Sequence, residues 1–169
     1  METPVALPAQ EDRAWSLLFG VMMWLPAALD TYLERVAGIA HADYQVLRWL
    51  SVTEEREIHM THLAATANVT PSHLSRIVAR LETKGWIVRS NDPRDARKVL
   101  ARLTDAGAHV VSEIEPGYVA QIQNHIFSHL TPAQAHQLED ITEAVLTPLR
   151  ADCVALLPPR AERPESTQP

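Results

Sequence analysis

Apolar residues along this chain recur mostly at helical spacing, and the interruptions divide it into elements. From Ala14 and Trp15 through Leu18, Met22, Leu25, Leu29 and Leu33 to Val36, the periodicity predicts a long helix between about residues 11 and 37. Pro26 inside it predicts a kink or a division, and Gly38 predicts its end. The stripe is wider than one small partner requires, so burial against several helices is expected. His41 to Ser51 reads as a second helix, with Tyr44, Leu47 and Leu50, or Val46 and Trp49, turned inward. The polar run VTEERE after it reads as a connector.

Two short helices follow. Leu63, Ala64 and Ala67 mark the first, and Asn68 supplies a residue that tolerates a left-handed backbone at its end. Thr70 is an N-cap with Pro71 at the first helical position. The second helix turns Leu74, Ile77, Val78 and Leu81 inward, leaves Ser72, His73, Ser75, Arg76 and Arg80 outward, and stops at Gly85. Small Ala64 and Ala65 allow close approach and Val69 fills the corner, a helix-turn-helix pattern. WIVRS (Trp86 to Ser90) and VLARL (Val99 to Leu103) then read as two strands around a turn-rich loop, NDPRDARK. Trp86 and Val88 are expected on one face, Ile87 and Arg89 on the other.

Thr104 starts a further helix carrying Val111, Ile114, Tyr118, Ile122 and Ile126, with a bend expected at Pro116-Gly117. TPAQ (Thr131 to Gln134) is a capping box opening a last helix, with Leu138, Ile141, Val145 and Leu149 inward. The expected fold is therefore mainly α with a small two-stranded β-wing.

Charge changes this picture. The 169-residue chain carries a formal net charge of −6, yet eight of its 15 Lys and Arg residues, against three of 21 acidic ones, fall between Thr70 and Leu103. A local basic segment can bind nucleic acid on an otherwise acidic protein, while the bland alternative is a solvated face. Other classes gain little. No phosphate-cradling glycine loop, nucleophile elbow or paired catalytic carboxylates suggest an enzyme, and no cofactor is expected. His125 and His129 share a helical face, but without further ligands a packed or solvated pair is expected rather than a metal site. His59 and His62 stay ambiguous, His62 being a candidate for a phosphate contact. No apolar run approaches the roughly 18–20 residues of a membrane span. The N-terminus has no basic region followed by a long apolar stretch, so no secretory signal is expected. Cys153, the single cysteine, leaves no internal disulfide and fits a reducing cytoplasm.

The ordered string MTHLAATANVTPSHLSRIVARLETKGWIVRS, then DPRDARKVLARLTDAG, then a long helix and LTPAQ, resembles the MarR family of winged helix-turn-helix transcriptional regulators over about residues 11 to 157. In that family the wing reads Asp-x-Arg, then an apolar strand, then Leu-Thr-x-x-Gly; Asp95, Arg97, Val99, Leu103, Thr104 and Gly107 match. The resemblance implies a homodimeric regulator of transcription, a repressor bound to double-stranded DNA at a pseudo-palindrome. Residues 1–10, with two prolines and no periodicity, read as a flexible arm, and the resemblance implies a helical dimerisation region over 11–37 and 108–157. The DNA-binding lobe would span 41–107, while the composition of the proline-rich, polar end of the chain predicts a disordered tail over 158–169.

Arg97 would enter the minor groove, braced by Asp95, and Arg94 and Lys98 would neutralise phosphates. Ser72, His73, Ser75 and Arg76 would contact bases and phosphates, Arg76 being the candidate for guanine. Ala96 departs from the family by standing where many relatives carry another arginine. Arg80 and Arg89 read as structural, pairing with Glu82 or aspartates. Many relatives bind a small aromatic or phenolic ligand between the dimer helices and the lobe. Here Trp15, His41, Tyr44 and Arg48 could line that crevice, or could be ordinary packing. The rival reading is a helical dimer or adaptor whose winged lobe does not bind DNA.

Overall fold

The computed structural model describes residues 6–154, apart from the side chains of residues 152 and 153. Half of the expected arm, the whole expected tail and the Cys153 side chain thus lie outside the described residues. Helix α1 (Ala9–Ala37) runs the full predicted length, and Pro26 does not divide it. The carbonyl that a proline leaves unpaired falls near Met22, which is exposed, so water can satisfy it. Gly38, at φ 59°, ends the helix in the left-handed conformation, donating its N–H to the Glu34 carbonyl. By length and composition alone α1 is apolar enough to cross a membrane, contrary to expectation. Its C-terminal part is nonetheless anchored in the protein core by Leu29 and Leu33.

Helix α2 (His41–Val52) follows, then a 3-10 turn at Glu54–Arg56 and a short strand β1 (Glu57–His59). Here the connector reading was incomplete. β1 pairs antiparallel with the second wing strand (Ile58 opposite Ala101), so the sheet has three strands rather than two. The segment was too short and polar to show strand periodicity, and a long-range partner decides it. Helices α3 (Met60–Thr66) and α4 (Pro71–Thr83) come next, then strands β2 (Ile87–Asp92) and β3 (Asp95–Leu103), in sheet order β1-β3-β2.

Helix α5 (Asp105–His125) passes through Pro116-Gly117 as one helix. Gly117 serves packing instead: a Cβ there would lie 1.9 Å from the Tyr32 hydroxyl, so the missing side chain lets α5 seat the α1 tyrosine. One core joins these elements. Tyr44, Val46, Leu47 and Leu50 of α2, both alternatives at once except half-buried Trp49, meet Leu63, the inward face of α4, Ile87, Ala101 and Val111. α2 is buried on a wide arc because it lies between α1, α4 and α5.

α1 to α5 form one compact unit, and the segment from Phe127 onward forms a second. Its helix α6 (Pro132–Val154) opens with the expected capping box: Thr131 N–H donates to Gln134 Oε1 at 2.9 Å and Gln134 N–H to Thr131 Oγ1 at 3.3 Å. The helix breaks at Arg150, just after Pro148. Ile141, Val145 and Leu149, expected inward, are exposed among the described residues.

Candidate nucleic-acid interface

The turn between α3 and α4 follows from its residues. Asn68 takes φ 52°, and Val69 N–H donates to the Ala64 carbonyl at 3.0 Å, closing the corner. Thr70 Oγ1 then accepts from His73 N–H at 3.3 Å and Pro71 opens α4. Leu74, Ile77, Val78 and Leu81 are fully buried, which forces Ser72, His73, Ser75, Arg76 and Arg80 outward, and all five are exposed. The N-terminal turn of α4 thus presents polar side chains and free backbone N–H groups together, a favourable seat for phosphate.

The wing is tighter than the sequence suggested. Pairing runs from Ile87 opposite Leu103 to Asn91 opposite Val99 and, past an irregularity, to Asp92 opposite Asp95. Most of the expected loop is strand, and only Pro93 and Arg94 form the tip. Turn residues hid this, because Asp92 makes the turn itself: its Oδ1 accepts from Arg94 N–H at 2.7 Å. Ile87 is buried as the inward residue of β2, whereas Trp86 is only half-buried and Val88 is exposed.

Asp95 grips Arg97 in three ways. Oδ1 accepts from the Arg97 N–H at 3.2 Å and from Nε at 3.0 Å, and Oδ2 accepts from Nη2 at 3.3 Å. These bonds, from the guanidinium first and the backbone second, hold the Asp95 carboxyl below the usual carboxylate range. It therefore stays ionised at neutral pH and keeps the fork extended, with the Arg97 side chain 90% exposed. Lys98 stands 3.9 Å from the same carboxylate, and Arg94 and Lys98 are exposed.

Two further arginines are structural, as expected. Arg89 pairs with Glu82, tying the wing base to the end of α4, and Arg80 pairs with Asp43 of α2. Sequence reading missed Asp43, although its place on the same face as Leu47 and Leu50 was a signal: a carboxylate on an apolar stripe needs a partner. It also missed the His59–Asp92 contact at 3.4 Å, which joins β1 to the wing tip and has no local pattern.

The proposed crevice residues separate. His41, Tyr44 and Arg48 lie on α2, where His41 Nε2 is 2.9 Å from the Tyr118 hydroxyl and 2.9 Å from Gln45 Nε2. The Tyr44 ring packs on Tyr118 with centroids 4.6 Å apart, and Arg48 approaches Glu115 at 3.8 Å. Burial raises the pKa of both tyrosines. Trp15 instead packs near Phe19 with the rings tilted, 15 residues before the Asp30 that meets His41, or about 22 Å along the helix. A separate cavity of about 270 Å³ lies between Tyr32, Val36, Trp86, Val110 and Ile114.

Burial lowers the His41 pKa from its usual value, against an opposing pull from Asp30. The unfolded chain therefore binds this proton first as the pH falls. The His41 contribution to stability is full above about pH 6.5 and is lost as the pH drops through the lower folded value. Thermal midpoints should fall between about pH 7.5 and 5.5, and His41→Gln should flatten that decline. Parallel curves for the two proteins would exclude His41 as its source.

A profile of the MarR family matches residues 39–99. The fold superposes on Sco3205, a MarR family transcriptional regulator from Streptomyces coelicolor solved in complex with DNA. The TM-score is 0.81 at 37% identity, covering 89% of this chain and 94% of that one. Among curated relatives, the HTH-type regulator YkoM of Bacillus subtilis is 37% identical over 45% of this chain. The transcriptional repressor MprA of Escherichia coli is 27% identical over 68% of it. The chain spans 46% and 65% of the length of these two relatives.

Proposed function

Because this chain belongs to the MarR family, we propose that it is a homodimeric repressor that binds a pseudo-palindromic operator in cytoplasmic DNA. The observation that carries this reading is one lobe presenting both the exposed polar N-terminal face of α4 and an extended, carboxylate-braced Arg97. Ser72, His73, Ser75 and Arg76 would face the major groove, with Arg76 toward guanine. Arg97 would enter the adjacent minor groove, where a narrow A·T-rich stretch concentrates negative potential. Arg94 and Lys98 would meet phosphates. Relatives that bind DNA or repress transcription support the reading.

Dimerisation is supported by apolar residues left uncovered on single helices. Trp15, Leu18, Met22 and Trp24 are exposed on α1, as are Ile141, Val145 and Leu149 on α6. Two α4 helices about 34 Å apart would then enter successive major grooves. A small aromatic or phenolic ligand would relieve repression at the junction of His41, Tyr44 and Arg48. Trp15 would join that site only from the second subunit.

Selection from a randomised duplex pool, followed by salt titration, tests this. With Arg94 and Lys98 on phosphates in both subunits, the logarithm of the affinity should fall with that of salt at a slope of about −3.6 or steeper. Absence of any selected sequence at low salt would return the chain to the adaptor reading. A monomer in sedimentation at micromolar concentration would exclude the two-half-site geometry.

A further inference from the structure

The first turn of α2 gathers three other helices. Asp43, 5% exposed, accepts from Nη2 of Arg80 on α4 with Oδ1 and from the Ala40 N–H with Oδ2 at 3.4 Å. The next N–H, of His41, donates to Asp30 on α1, and the His41 ring meets Tyr118 on α5. We propose that Asp43 is a positioning residue for DNA recognition: through Arg80 it sets the rotation of α4 about its own axis and ties that rotation to α1 and α5. The proposal rests on α4 being the helix that reads DNA.

The geometry of α4 explains why one bond matters there. Ser72, Arg76 and Arg80 follow at four-residue intervals, so they form one ridge, and whatever holds Arg80 sets the azimuth of Arg76. The buried face of Leu74, Ile77, Val78 and Leu81 fixes where the axis lies, but apolar burial is weakly directional. A charge-assisted hydrogen bond from a planar guanidinium is directional. Side-chain tips ride about 5–6 Å from a helix axis, so a rotation of about 20° moves the Arg76 tip by about 2 Å. That shift breaks a bidentate base contact while leaving phosphate attraction nearly unchanged. A carboxylate this buried is held at a desolvation cost, and Arg80 together with Ala40 N–H offsets it. The same carboxylate caps α2, so a movement of α1 or α5 that drags the first turn of α2 must also turn α4.

The test uses the full chain and the duplex that it selects from a randomised pool, with a scrambled duplex of equal composition. Wild type, Asp43→Asn, Arg80→Ala and the double variant are titrated by fluorescence anisotropy at several salt concentrations. Asparagine keeps the shape of the side chain but turns one of its two acceptors into a donor. In Asp43→Asn the preference for the selected duplex should fall about tenfold. Scrambled-duplex binding and the salt slope should hold. The double variant should be no worse than the worse single one, because both act through one contact. An unchanged preference in Asp43→Asn, at a temperature where circular dichroism shows it folded, overturns the proposal and leaves the role of α4 standing. A salt slope reduced by about two in the Arg80→Ala dimer assigns Arg80 to phosphate and also overturns it. Should Asp43→Asn not fold, Arg80→Gln carries the same comparison. A wild-type chain that selects no sequence removes the DNA reading itself.

Discussion

Alanine in place of Gly107 should destabilise the protein by about 3 kcal/mol, at the upper end of what overpacking costs. A Cβ on Gly107 would lie 2.2 Å from the carbonyl oxygen of Trp86 and 2.7 Å from a methyl of Leu103. The first neighbour is backbone and cannot swing aside. It is also the acceptor for Thr104 N–H at 3.0 Å, while Thr104 Oγ1 donates to the Gly85 carbonyl at 2.8 Å and accepts from Gly107 N–H at 3.0 Å. Relieving the overlap by lifting the first turn of α5 off the Trp86 backbone would therefore stretch the cap as well. For a chain of this size the thermal midpoint should drop by about 6–12 °C. Gly20→Ala is the control, since a Cβ there meets nothing within 4 Å and alanine favours a helix interior. Equal midpoints for the two variants would show that the close approach at Gly107 is not tight.

Arg97→Ala should weaken binding to the selected duplex by about 1–3 kcal/mol, roughly five- to 150-fold, with the oligomeric state and the melting curve unchanged. The side chain contributes little to folding, being 90% exposed with Asp95 as its partner. In the proposed interface its value would lie in being extended before DNA arrives, so that less side-chain freedom is lost on binding. Asp95→Asn should weaken the same complex less, because it loosens the brace but also takes a negative charge away from the phosphates. Loss should be greater on duplexes with A·T-rich flanks than on G·C-rich ones, where the minor groove is wider. Unaltered affinity of Arg97→Ala, measured by anisotropy on the same duplex, removes Arg97 from the interface.

Local patterns carried much of the fold. The caps at Thr70 and Thr131 form as read and the helix start at Thr104 proves to be a cap as well, because each joins atoms within three residues. The inward face of α4 was legible for the same reason: one helical period decides both its buried and its exposed residues. The bracing of Arg97 by Asp95 likewise spans two positions of one strand. Readings failed where a distant segment intervenes. β1 exists because β3 lies beside it, and α5 keeps Gly117 for the Tyr32 ring rather than for a bend.

By itself, the sequence determined the helical periods, the caps, the basic wing and the family, since these depend on neighbours within a turn or a hairpin. Tertiary structure alone decided that the Asp43 carboxylate meets Arg80, 37 positions away. It also decided that His59 reaches Asp92, that Trp15 stands apart from His41, and that the wing rests on a three-stranded sheet. Such pairings carry no periodic trace, because a polar side chain finds its partner only after the apolar faces have fixed which helices touch.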